Sequence, residues 1–413
     1  MNDATTEKPG IAANELNALL TAMLQNAEGI SDLLFVAGKP PQMEVYGRLK
    51  SFEPEPVLAS PRIEVLARAI INGNPRLTQD LAEHGSCDCS YSLEGQGRFR
   101  VNIYRQNGNF AMVLRRLQSK IPTLDELKLP SVFREIIKEK SGLIFVTGST
   151  GSGKTTTIAA MLNEINLTHE VHIVTLEDPV EFLHPQLKSL FSQREMGRDF
   201  FTFPDGLRAA LRQAPKVIFV GEIRDRETME IALTAGETGH VVYSTLHTIS
   251  AGQSINRILG MFSKDEEQLV RERLAGSLRY IVSQRLVPKI GGGRLLVSEL
   301  MGSNLRSREV IALGEGENRR LHDIIEAGNV AGWHTFEQTL LAAFQDELIT
   351  DETALLYCTN KSVMHQRVDR AKKEMETSHL PHNLKMMQEE KLQRPPDKKP
   401  APPAEPPLKM GSP

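Results

Sequence analysis

The residues Gly148-Ser149-Thr150-Gly151-Ser152-Gly153-Lys154-Thr155 follow the pattern G-x-x-x-x-G-K-[ST]. This composition and spacing suit a backbone that wraps a phosphate. Glycine lets the chain approach an anion where a Cβ would stand in the way. The N–H groups that follow, together with a helix N-terminus, then point at the negative charge. Lys154 reaches the β- and γ-phosphates in this arrangement, the Thr155 hydroxyl offers a ligand to Mg²⁺, and Thr156 continues the contact from the first helical turn. The competing reading is a plain glycine-rich turn. The apolar run 143–147 before it reads as a short buried strand, and 156–166 after it reads as a helix, which is the context a phosphate loop requires.

Binding a nucleoside triphosphate is not hydrolysing it. Hydrolysis needs an acid that supports Mg²⁺ and a group that orients water. In Val217-Ile218-Phe219-Val220-Gly221-Glu222 an apolar strand delivers Glu222 at its C-terminal end, where open α/β sheets bind ligands. A helix-capping or salt-bridged glutamate is the alternative there. Val174 to Glu181 is a second strand that ends in Glu177, Asp178 and Glu181. Carboxylates packed this densely repel one another unless a cation compensates, the alternative being a solvated acidic turn. A third strand, 241–244, has His240 before it and His247 after it, which puts His247 on the rim of the phosphate loop and His240 at the other end. Their spacing is not that of a zinc site. Arginines recur too: Arg98, Arg100 and Arg105 on one strand, Arg115 and Arg116 on the next, and Arg194, Arg208 and Arg212 before Glu222. Arginine suits bidentate phosphate contacts, and a solvated strand face is the plainer reading for residues 98–105.

The elements that must position these groups fall into two blocks. Residues 12–28 form a helix with Leu16, Leu19, Leu20, Met23 and Leu24 on one stripe. Strands are expected at 31–36 and 43–49, a helix at 61–71, and three antiparallel strands at 87–93, 97–106 and 109–117. That makes residues 1–117 a small α+β domain, followed by a linker at 118–130. From residue 131 helices alternate with apolar strands at 143–147, 171–176, 217–220 and 241–244, a parallel α/β arrangement. Residues 264–359 read as mostly helical, and the domain is expected to end at 363. Residues 364–413 read as a disordered tail; its last 33 residues hold nine prolines and no aromatic residue.

The chain has 413 residues, 40% hydrophobic and 24% charged, with a formal net charge of -3. That balance exerts no global pull on nucleic acid or anionic lipid. With 5% aromatic residues and a single Trp, no basic–aromatic stripe for single-stranded nucleic acid is present. No stretch reaches the roughly 20 apolar residues of a membrane span, and the polar start MNDATTEKPG predicts a cytoplasmic chain. Cys87, Cys89 and Cys358 are too few for a disulfide framework or a four-cysteine zinc site.

Taken in order, these motifs resemble the secretion-ATPase superfamily, and within it the PilT and PilU family of type IV pilus twitching-motility (retraction) ATPases. The matching segments are 148–155, 175–182, 193–197, 206–212, 220–228, and 236–240 with 244–247; 31–33 and 98–102 match the family's N-terminal domain. The resemblance covers about residues 12–360. It implies an α/β chain with a PAS-like N-terminal domain and a RecA-like P-loop ATPase domain. It further implies ATP and Mg²⁺, held through Thr155 and Glu222, and a catalytic set of Glu181, Glu222 and His247, with Glu177, Asp178 and His240 as further members of the family's boxes. As implied partners it brings a homohexamer, an inner-membrane pilus platform protein and a paralogous retraction ATPase, with no nucleic acid, and a location in the cytoplasm, peripheral to the inner membrane. Because family members build composite sites, Arg98, Arg105, Arg115, Arg194 and Arg208 become candidate phosphate contacts. Two segments depart from the PilT pattern: Gln213-Ala214-Pro215-Lys216, which is closer to PilU, and 304–311, where the retraction motif is only loosely matched. The lack of a four-cysteine insertion and the short N-terminal region set the chain apart from pilus-extension and type II secretion assembly ATPases.

Overall fold

The structure is a computed structural model that describes residues 9–118, 120–317 and 319–378. The predicted disordered segment from 379 onward lies outside the described residues.

The N-terminal domain runs α1 (Pro9–Asn26), β1 (Ile30–Phe35), β2 (Gln42–Val45), β3 (Arg48–Ser51), α2 (Ser60–Ile71), α3 (Pro75–Glu83), β4 (Ser86–Leu93), β5 (Gly97–Gln106) and β6 (Asn109–Arg116). Its six strands form one antiparallel sheet in the order β3-β2-β1-β6-β5-β4. One face is covered by the apolar stripes of α1 and α2, so Leu16, Leu20, Ile63 and Leu66 meet Leu33, Phe99, Val101 and Ile103 in a single core. The strand expected at 43–49 is two strands, β2 and β3. Tyr46 and Gly47 both take positive φ between them, 50° and 76°, and reverse the chain.

The second domain runs α4 (Phe133–Ile136), β7 (Gly142–Thr147), α5 (Lys154–Thr168), β8 (His172–Glu177), β9 (Leu190–Glu195), α6 (Phe203–Ala210), β10 (Val217–Val220), α7 (Arg226–Glu237), β11 (Val241–Leu246), α8 (Ala251–Leu259), α9 (Glu267–Ser277), β12 (Leu278–Pro288), β13 (Arg294–Gly302), α10 (Leu305–Leu313), α11 (Leu321–Glu326), α12 (Phe336–Gln345), α13 (Asp351–Tyr357) and α14 (Lys361–Ser378). Seven strands pair in the order β13-β12-β7-β11-β10-β8-β9. All pairs are parallel except β12–β13. Every residue of β7, β10 and β11 is buried, as expected of parallel strands covered on both faces. Two apolar clusters cover those faces. One gathers Phe145, Ile218, Met229 and Ile255, the other Ile144, Val146, Ile158 and Met161.

Two sequence expectations change here. Residues 264–359 are not mostly helical: β12 and β13 lie among them. The apolar run Leu278-Arg279-Tyr280-Ile281-Val282 is β-branched in part and finds β7 as a parallel partner, and that tertiary pairing overrides local propensity. Nor does the folded chain stop at 363, because α14 runs from Lys361 to Ser378. Its Met364, Val368 and Ala371 are buried, the first two packed with Phe336 and Leu340. Their spacing of four and three is the helical stripe that the polar composition of this segment obscures.

Candidate active site

Parallel pairing puts the C-terminal ends of four strands on one rim. Thr147 is level with Leu246, and Ser244 with Val220, which is level with Leu176. The turns that follow therefore gather there: the glycine loop after β7, His247 after β11, Glu222 after β10, and Asp178 to Glu181 after β8. They line an open cleft of about 510 Å³ together with Thr150, Gly151, Lys154, Thr155, Arg224 and Thr245.

The loop is shaped for an anion. Gly151 and Gly153 have φ of +78° and +92°, and Gly153 leads directly into α5. At Gly148 an added Cβ would lie 2.4 Å from Ser152 Oγ and 2.6 Å from the Gln284 carbonyl, so only glycine fits. Lys154 Nζ donates to the carbonyls of Gly148 (2.9 Å) and Ser149 (3.0 Å). Burial lowers its pKa, while Glu222 and Glu181 act in the other direction.

The acids differ in their surroundings. Glu177 is buried and its pKa is pushed up to about 7 by desolvation. Its Oε1 accepts from Thr175 Oγ1 at 2.6 Å and from Gln193 Nε2 at 3.4 Å, and its Oε2 accepts the Glu181 N–H at 3.4 Å. Glu181 is half-buried and also raised by desolvation, against hydrogen bonding from Thr155 and the charges of Arg100 and Lys154. Asp178 is raised for the same reason and precedes a cis peptide to Pro179. Glu222 pairs with Arg224 at 2.6 Å, and His247 Nε2 stands 3.6 Å from its other oxygen. His240 sits at the far end of β11 with Nδ1 3.2 Å from the Ala235 carbonyl, away from the cleft.

None of the five candidate phosphate arginines lines the cleft of its own chain. Arg98 instead clamps the two domains together. It donates to the Val180 carbonyl (2.9 Å) and to Glu195 Oε2 (3.0 Å), while Ser90 donates to the other Glu195 oxygen. Arg105 lies over the Phe110 ring, and Arg115 pairs with Asp32 at 2.9 Å. Arg194 donates to the Asp199 carbonyl at 2.8 Å and lies over Phe200; Arg208 pairs with Asp205 and Glu227. The arginines that do line the cleft are Arg100 and Arg224, and Asp88 of β4 joins them. The signal for Arg100 was its spacing of two from Arg98, which puts both on one face of β5.

These residues fit a Mg²⁺–nucleotide. Three glycines, the start of a 15-residue helix and Lys154 supply the anion cradle. Thr155 and Glu222 present hard oxygen donors to the same cleft. Among the described residues no group of three or more His, Cys, Asp or Glu is arranged to hold a metal ion.

The family model described as Type II/IV secretion system protein matches residues 83–322, across the cleft and the domain clamp. The chain is 41% identical over 327 residues to the type IV pilus retraction ATPase PilT of Pseudomonas aeruginosa, covering 79% of this chain and 94% of that protein. The chain belongs to the PilT and PilU family of secretion ATPases. To the type IV pilus ATPase PilU of the same organism it is 38% identical over 346 residues, covering 83% of this chain and 88% of the relative. The crystal structure of the pilus retraction motor PilT with bound ADP superposes with a TM-score of 0.77 at 41% identity, covering 85% of this chain and 98% of that one. The α/β architecture of the family is thereby shared. The segment 304–311 is the start of α10, capped by Asn304 and Ser307 with Leu305 exposed. No described helix is long and apolar enough to cross a membrane.

Proposed function

We propose that this chain is an ATP-hydrolysing motor that powers type IV pilus retraction. The observation that carries the reading is the convergence of Lys154, Glu181, Glu222 and His247 on one strand rim around the glycine loop. The loop and Lys154 bind the phosphates. Thr155 and Glu222 would hold Mg²⁺, which would supply charge neutralisation to the phosphates. Glu181, whose desolvation favours proton uptake, orients the attacking water and accepts its proton. His247 and Arg224 hold the Glu222 carboxylate in place. Arg100 brings the N-terminal domain over the same cleft. The N-terminal domain is read as PAS-like and the second as RecA-like.

The working unit in this reading is a homohexamer in the cytoplasm, docked on the pilus platform protein at the inner membrane. Arg105, Arg115, Arg194 and Arg208 are then available to act between subunits, whereas Arg98 is held in the domain clamp. A second reading, a PilU-like accessory ATPase that works beside a paralogous motor, is favoured by Gln213-Ala214-Pro215-Lys216 and by the loose match at 304–311.

The test is ATP hydrolysis by the purified chain, with pilus retraction in a deletion strain. Lys154→Ala should abolish turnover while far-ultraviolet circular dichroism is unchanged. Glu181→Gln and Glu222→Gln should each slow turnover by about 10²–10⁴ while ATP still binds. Undiminished hydrolysis by folded Lys154→Ala refutes the reading. Hydrolysis without a retraction defect in the deletion strain favours the accessory role.

A further inference from the structure

Strand β12 carries a polar pair, Gln284 and Arg285, that the active site does not use. Ser283 is level with Thr147, the last residue of β7, so the pair lies beside the start of the phosphate loop. Adjacent strand residues point to opposite faces. Gln284 points to the α5 side and Arg285 to the side where Val287 packs among the C-terminal helices.

The Gln284 side is a seat for the loop. Gln284 is 1% exposed, and its Nε2 donates to Thr157 Oγ1 at 2.9 Å, in the first turn of α5. Its own carbonyl is the atom that forbids a side chain at Gly148. Beneath it, Thr147 Oγ1 donates to Ser283 Oγ at 3.0 Å. Loop, helix start and β12 are therefore held in one polar layer.

Arg285 faces the other way. Its guanidinium stacks on the Phe336 ring at 3.7 Å, donates to the Tyr357 carbonyl and to Thr359 Oγ1 (3.1 Å), and lies 3.5 Å from the Ile249 carbonyl. Burial disfavours its charge, and the carboxylates of Glu299 and Glu337 act on it through space in the other direction. Arg285 is half-buried, and an apolar side chain would fill the same space without the desolvation of a charge. What arginine adds is a rigid fork that can bond several chain segments at once. Here these are the residues just past His247 and the junction between α13 and α14. Glu337, fully buried, fixes the same junction by accepting the N–H groups of Thr359 and Asn360, both at 2.7 Å.

We propose that Gln284 and Arg285 form a two-sided positioning element, through which nucleotide at the phosphate loop is felt by the C-terminal helices α12 to α14. Gln284 seats the loop. Arg285 ties β12 and the segment after His247 to the α13–α14 junction. This rests on the nucleotide-binding reading above.

The experiment uses the full chain, a fluorescent ADP analogue for affinity, and hydrogen exchange of peptides spanning 248–254 and 355–362 with and without ADP. In the wild type, ADP should slow exchange in both peptides. Gln284→Met should weaken ADP binding by about 3- to 10-fold, the range set by one buried hydrogen bond. Arg285→Lys should bind ADP within about twofold of wild type and keep the slowing at 248–254, but lose it at 355–362. A purely structural role would lower the melting temperature without separating the two peptides. Should Arg285→Lys not fold, Thr359→Val removes one contact from the far end and must reduce the slowing at 355–362. Wild-type affinity in Gln284→Met, no ADP effect at 355–362 in wild type, or its retention in the variant read for that contact, overturns the inference. A wild type that binds no ADP overturns the nucleotide reading and this inference with it; normal ADP binding with any of the other three results overturns this inference alone.

Discussion

Replacing Glu177 by Gln should stabilise the protein at pH 8 and leave it no more stable than wild type at pH 4.5. Glu177 is 6% exposed, and burial raises its pKa from 4.5 to about 7. Between those values the folded protein keeps a proton on this carboxyl that the unfolded chain has released. Wild-type stability therefore falls as pH rises through the window, by roughly 3 kcal/mol in all at about 1.4 kcal/mol per unit. Gln does not titrate, so the variant escapes this loss. Its Oε1 still accepts from Thr175 and Gln193, but its amide nitrogen would face the Glu181 N–H, a contact worth about 1 kcal/mol. The balance is a variant about 2 kcal/mol more stable at pH 8 and about 1 kcal/mol less stable at pH 4.5. In melting temperature the gap between variant and wild type should shift by about 6–12 °C across that range. The assay is thermal denaturation of nucleotide-free, Mg²⁺-free protein at half-unit steps from pH 4.5 to 8. Asp178, whose pKa is also raised, is common to both proteins; Glu181 acts on Glu177 directly, so the pH dependence of the gap carries that coupling as well. A gap that stays constant with pH would refute the argument that burial holds this carboxyl neutral.

Other outcomes follow from the clamp, the loop and the C-terminal helix. Arg98→Ala leaves the largely buried Glu195 carboxylate without its cation; it should cost about 3–5 kcal/mol in urea denaturation and slow ATP turnover through Val180, the neighbour of Glu181. An unchanged midpoint would show that the clamp contributes nothing. Gly148→Ala should fold yet lose nucleotide binding, because the backbone carbonyl of Gln284 cannot yield to the new Cβ; binding as tight as wild type, measured with a fluorescent ADP analogue, would disprove it. A chain ending at Ser378 should keep its ATPase rate. One ending at Asn360 removes buried Met364 and Val368 and should lose about 2–5 kcal/mol per side chain, so equal melting temperatures for the two truncations would place the domain boundary back before α14.

The rim around the glycine loop was legible in the sequence because its motifs are local. A strand, a turn of fixed composition and a helix lie within about 25 residues, and each acid or histidine follows its own apolar run. Parallel pairing then does the assembly: once β7, β8, β10 and β11 share a sheet, their C-terminal turns must meet. What stayed hidden depends on partners far along the chain. β12 is a strand because β7 accepts it, and nothing within Leu278–Pro288 alone separates that from a buried helix. α14 is helical on a thin stripe, Met364, Val368 and Ala371, in an otherwise charged segment. The arginines show the limit most plainly. The family resemblance marked Arg98 and Arg105 alike as phosphate contacts, but period-two alternation already separates Arg98 and Arg100 from Arg105, seven residues past Arg98 and so on the opposite face. Parity puts Arg98 and Arg100 toward the second domain; only the fold reveals that one clamps Glu195 and the other lines the cleft. An arginine's role here is decided by which carboxylate or carbonyl reaches it first, and that is a property of the packed interface between the two domains.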